Sequence, residues 1–130
     1  MLKISVDEAY VFDMLSVFDV KLRNLDGEKL LKTIEKYSDM REEVIDQIGK
    51  DKYDQIVSSS EYQKMVYANQ RVFELIDESK NDTGLAKITD DANYERHVAK
   101  MALQKRFFDT ELTEVKNREW NLLTYWWDQS

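Results

Sequence analysis

Two short acidic patterns have the spacing best suited to chemistry: EEVID at 42–46 and ELID at 74–77. Each sets a glutamate and an aspartate three positions apart, Glu43 with Asp46 and Glu74 with Asp77. Residues three apart share a helical face, so each pair can hold a hard divalent cation such as Mg²⁺ between carboxylates. The chain has no cysteine and one histidine, which excludes thiolate sites, disulfides and multi-histidine zinc centres. His97 has no nucleophile pattern near it and reads as a packed or hydrogen-bonded side chain. SSS at 58–60 reads as a turn and helix cap, and KNDTG at 80–84 lacks the glycine spacing of a phosphate cradle.

An acidic pair on each of two helices resembles the all-α nucleotide pyrophosphohydrolases of the MazG type. The likeness covers only those two patterns. It implies a magnesium cluster that activates water against a nucleoside triphosphate, with Glu43, Asp46, Glu74 and Asp77 as ligands. The helical wheel separates the two pairs. At about 100° per residue, Glu43 and Asp46 point away from the apolar stripe that starts at Leu30, whereas a metal site inside a bundle needs inward carboxylates. Glu74 and Asp77 flank their stripe, beside Gln70 and Asn81. The other reading is a solvated acidic face, with neither metal nor cofactor.

Arg96, Lys100, Lys105, Arg106, Lys116 and Arg118 make the last segment locally basic. Glu111, Glu114 and Glu119 interrupt that run, and the net charge of the whole chain is −7. A nucleic-acid binder is expected to carry a continuous basic face on a positive domain, so the reading here is helix-surface charge pairing. Apolar residues make up 42% and charged residues 35%, a balance expected of a well-solvated globular chain. No apolar run has the length to cross a bilayer, and MLKISVDEAY lacks the features of a signal peptide. The expectation is a cytoplasmic protein with no membrane partner.

The elements that position these residues are helices. Proline is absent where average usage gives about six. Gly27, Gly49 and Gly84 sit in polar contexts and read as helix stops. Capping boxes are expected at Ser5 with Glu8 and at Ser60 with Gln63, and Thr89 starts the last helix. Helices are expected over 6–25, 28–48, 61–81 and 90–127, with a short turn at 51–57. Largely apolar stripes with steps of three and four support them: Val11, Leu15, Phe18 and Leu22; Leu30, Ile34, Tyr37 and Val44, with Arg41 at the intervening step; Tyr62, Val66, Asn69 and Phe73; Tyr94, Val98, Met101, Lys105 and Phe108. The first helix is apolar nearly all round and needs neighbours on several sides. A helix over 90–127 would span roughly 57 Å against about 30 Å for a twenty-residue partner. It is therefore expected to break near Phe108-Asp109-Thr110 or to project. Arg41 and Lys105 are read as reaching the bundle edge. Asn69 is either another edge residue or a buried polar contact that fixes register.

The fold expected is all-α, a single-domain bundle of four main helices spanning 1–130. The function expected is a non-catalytic protein–protein interaction or assembly role, with self-association as the partner expectation. The alternative is the Mg-dependent pyrophosphohydrolase. Leu103 and Phe107 lie nearly opposite the Met101–Phe108 stripe, so they form either a self-contact or a face covered by the first helix. Trp120, Trp126 and Trp127 fall in EWNLLTYWWDQS, where Trp120, Leu123 and Trp127 share a helical face. That end is expected to be docked, closing the core or gripping a second subunit.

Overall fold

A computed structural model of the chain describes residues 5–79 and 85–112, with 76–79 and 85–89 described as backbone only. The described residues are all-helical, without strands, in five helices: α1 Glu8–Asn24, α2 Gly27–Ile48, α3 Lys50–Val57, α4 Ser60–Ser79 and α5 Leu85–Phe108. Asp109, with φ of 53°, follows α5, and 109–112 are not helical. No helix among the described residues is long and apolar enough to cross a membrane.

The all-round apolar α1 is the hub, touching α2, α4 and α5. Leu15 and Phe18 from its main stripe are buried, and so are Phe12, Val17 and Val20 from outside that stripe. The Phe12 ring gathers one ring from each of three other helices: Tyr53 of α3 at 6.2 Å, Tyr62 of α4 edge-on at 6.4 Å and Phe108 of α5 at 6.4 Å. α4 and α5 pack most extensively on each other. Ion pairs Arg71–Glu95 (2.8 Å) and Arg106–Glu61 (2.6 Å) fix them antiparallel.

Three helix starts differ from the sequence reading; the largest difference is at α5, which begins at Leu85 rather than after Thr89. The cap of α1 falls at Asp7 rather than Ser5, and a side chain from α5 serves it: Gln104 Oε1 accepts from the Ala9 N–H at 2.8 Å. At α4 the capping hydroxyl is Ser59, one residue earlier than expected, accepting from the Tyr62 N–H at 3.1 Å. Between α2 and α3, Gly49 takes φ 88° and ψ 152°, a conformation open essentially to glycine alone.

The larger correction concerns α5. Its expected inner stripe faces out: Tyr94 is 48% exposed, and Val98 and Met101 are each 41% exposed. The inner face carries Arg96, Lys100, Leu103 and Gln104, all fully buried. α5 bears apolar side chains on two faces, so periodicity alone does not orient it. The polar partners offered by α1 and α4 do.

Candidate functional site

Three features of the structure bear on function, beginning with a buried polar cluster between α1, α4 and α5. Asp13 sits in the apolar sequence YVFDML and is fully buried. An isolated buried carboxylate is costly, so it needs donors and counter-charge. Lys100 Nζ lies 2.9 Å from Asp13 Oδ2, and Arg96 Nε lies 3.7 Å from the same oxygen. Asn69 Nδ2 donates to Asp13 Oδ1 (2.9 Å) and to Ser16 Oγ (2.7 Å), while Asn69 Oδ1 accepts from Arg96 Nη1 at 2.9 Å. Burial by itself raises the Asp13 pKa. Lys100 and Arg96, with the hydrogen bonds from Asn69 and Lys100, outweigh it and hold the carboxyl below its ordinary value. Burial lowers the Arg96 pKa, against the pull of Asp13 and Tyr10. Asn69 is therefore a buried contact joining three helices, while Arg41 lies over the Tyr53 ring and Lys105 is exposed. His97 is also buried. The sequence held one clue to this cluster, an acid set inside the apolar run YVFDML that matches an i, i+4 pair of cations on the last helix.

A second polar group ties α2 to the hub. The Tyr62 hydroxyl donates to Asp19 Oδ2, and Tyr37 also bonds Asp19. Burial, then Asp19, raises the Tyr62 pKa; burial raises that of Asp19, which the tyrosine hydrogen bonds partly offset. This is where α2 meets α1 closely, with Phe18 edge-on to Tyr37 at 6.4 Å. Away from it, α2 is loosely held: Thr33 is its one fully packed residue, and Met40, Val44 and Ile48 are half-buried. The two helices leave an open groove of about 1230 Å³ between them. Val11, Met14 and Phe18 line it from α1, and Met40, Val44 and Ile48 from α2. Ser5, Glu8 and Gln47 mark one end, Lys36 the other.

The third feature is the outer face of α5. Tyr94, Val98 and Met101 follow one another at helical spacing, and Tyr67 of α4 is also exposed, at 66%. Asp90 and Asp91 are exposed at one end of this stripe and Lys105 at the other.

The expected site residues are distributed as follows. Glu43 and Asp46 are exposed on α2, and Glu74 is exposed on α4, accepting from Gln70. The side chain of Asp77 lies outside the described residues. Among the described residues, no three His, Cys, Asp or Glu side chains are grouped to hold a metal. Leu103 is fully buried in the core, the covered alternative for that face, and Phe107 is half-buried against the core. Trp120, Trp126 and Trp127 lie outside the described residues. Of the basic run on the last segment, Arg96 and Lys100 are interior and Arg106 is paired to Glu61. Comparison with protein-family models, curated proteins and solved structures finds no match to the chain.

Proposed function

We propose that the chain is a single-domain bundle of four long helices that acts as a non-catalytic assembly protein in the cytoplasm, pairing with a second copy through the outer face of α5. The observation that carries this reading is the exposed stripe Tyr94, Val98 and Met101. Contiguous exposed apolar side chains rimmed by charge mark contact surfaces. The charges favour a second copy as the partner. Asp90 and Asp91 lie about two turns before Val98 and Lys105 about two turns after it. A twofold antiparallel contact centred on Val98 therefore sets the acidic end of each copy against the basic end of the other. Neither a metal nor a cofactor enters this reading.

Sedimentation equilibrium tests it. The wild type should be a dimer, and Val98→Asp with Met101→Asp should give a monomer of unchanged helicity. Reversing the charges at Asp90 and Asp91 to lysine should weaken the dimer, and adding Lys105→Glu should restore it. A wild type that is monomeric at all concentrations overturns the proposal. Hydrolysis of a nucleoside triphosphate with Mg²⁺ would overturn its non-catalytic part.

A further inference from the structure

The groove between α1 and α2 has a packed floor, apolar walls and acidic lips. Phe12 and Phe18 form the floor and belong to the core: Phe12 packs on Tyr53, Tyr62 and Phe108, and Phe18 on Tyr37. The walls stand above them. Val11 and Met14 on α1 and Met40, Val44 and Ile48 on α2 are all half-buried, so each still presents apolar surface to water. By helix rise the α1 wall runs about 15 Å from Glu8 to Phe18 and the α2 wall about 18 Å from Lys36 to Ile48, roughly three turns each. The lips carry Glu8 on α1 and Asp39 with Glu43, one turn apart, on α2, and all three are exposed. Among the described residues none of the three forms an ion pair. Lys36, at the far end, is the single cation among the described lining residues.

We infer that the groove docks an amphipathic helix of a partner protein, one with an apolar row on its inner side and basic residues along both flanks. Met40, Val44 and Ile48 step by four, and Val11, Met14 and Phe18 step by three and four, so two helical ridges lie side by side with a furrow between them. A third helix with apolar residues at i, i+3 or i+4 and i+7 fills such a furrow over its three turns. Met14 and Met40 suit inner side chains of varied shape, because flexible thioethers re-pack readily. Charge selects the flanks. Cations one turn apart meet Asp39 and Glu43, and a cation on the other flank meets Glu8. The same lips repel nucleic acid and anionic lipid, and they disfavour a second copy of a chain whose net charge is −7. An open trough also encloses a small molecule poorly, whereas it fits a rod. The site lies on α1 and α2 and does not depend on pairing through α5.

Fluorescence anisotropy tests it with the full chain and two labelled synthetic helices of about fourteen residues, roughly four turns each. Both carry leucine at the inner positions; one has lysine on its flanks, the other glutamate. At low salt the chain should bind the lysine peptide about tenfold or more tightly than the glutamate peptide, and added salt should narrow the gap. Asp39→Lys with Glu43→Lys should reverse the preference. Glu42→Lys with Asp46→Lys changes the net charge equally, on exposed residues of α2 that do not line the groove, and should leave the preference in place. Met40→Asn with Val44→Asn should weaken the lysine peptide about tenfold or more while helical circular dichroism is kept. The same results are expected in the Val98→Asp, Met101→Asp background, so a failed dimer does not affect them. Binding of neither peptide overturns the inference, as does equal binding of the two at low salt. A shift in the Glu42, Asp46 variant as large as that in the Asp39, Glu43 variant overturns it too, because the attraction would then belong to the overall charge. So does a lower sedimentation mass for the peptide-free Met40→Asn, Val44→Asn variant than for wild type, because the groove would then hold a second copy.

Discussion

Lys100 Nζ lies 2.9 Å from Asp13 Oδ2, and both side chains are wholly buried. The pair, with Arg96 and Asn69, joins α1, α4 and α5 at the point where a two-faced helix has to choose its inner side. An ion pair of this kind contributes little net stability over a well-packed apolar set, but losing one partner is expensive. Its role in this fold is orientation.

Asp13→Asn should therefore cost about 3–5 kcal/mol, because two cations keep their burial and lose their anion. Urea melts read the loss directly. Adding Lys100→Met should recover part of it, and a double-mutant cycle that shows the two changes to be additive would contradict the coupling.

Leu103→Ala should cost about 2–5 kcal/mol, as expected for a fully buried leucine. Val98→Ala, five residues away on the outer face, should change monomer stability by about half a kcal/mol or less. Thermal melts of the two variants, measured at a concentration where the chain is monomeric, distinguish the inner from the outer face of α5.

Lys21 sets a pH signature. Burial, with Lys36 adding to it, lowers its pKa to about 8 from 10.5. Between those values the unfolded chain binds a proton that the folded chain has released, so this group makes stability rise with pH across that window. Below pH 8 its charge is retained at the full cost of burial. Lys21→Met should thus be most favourable relative to wild type at pH 7, and the difference should narrow from pH 8 to pH 10. A difference constant over that range would contradict the assignment.

Asp13 acts in the opposite sense. Its folded pKa is held below the ordinary aspartate value, so its contribution is complete above that value and is lost as pH falls through the lower folded pKa. Acid titration followed by circular dichroism should show wild type losing stability below pH 4 more steeply than Asp13→Asn.

Gly49→Ala should cost about 1–3 kcal/mol through backbone strain alone. A Cβ at Gly49 meets nothing within 4 Å, while φ of 88° disfavours any L side chain. Gln104→Ala should cost about 1–2 kcal/mol by uncapping α1. Amide exchange at Ala9 should speed up in that variant.

By itself the sequence determined that the described chain is helical, where most helices start and stop, and that α1 is the central one. Those properties are local: few glycines, no proline, apolar steps of three and four, and an α1 with no polar side to give to water. Only the tertiary structure decided how α5 is turned. Its Tyr94–Val98–Met101 stripe and its Leu103 face are both apolar, so its own residues leave two orientations open. Asp13 and Ser16 on α1 and Asn69 on α4 break the tie, because they can be buried only against Arg96 and Lys100. The splay of α1 from α2 was equally hidden. The stripe of α2 shows which residues seek apolar cover. The short turn at Leu25–Asp26 and the Asp19–Tyr37–Tyr62 contact hold the two helices together at one end only, and that sets how much of the stripe is left uncovered.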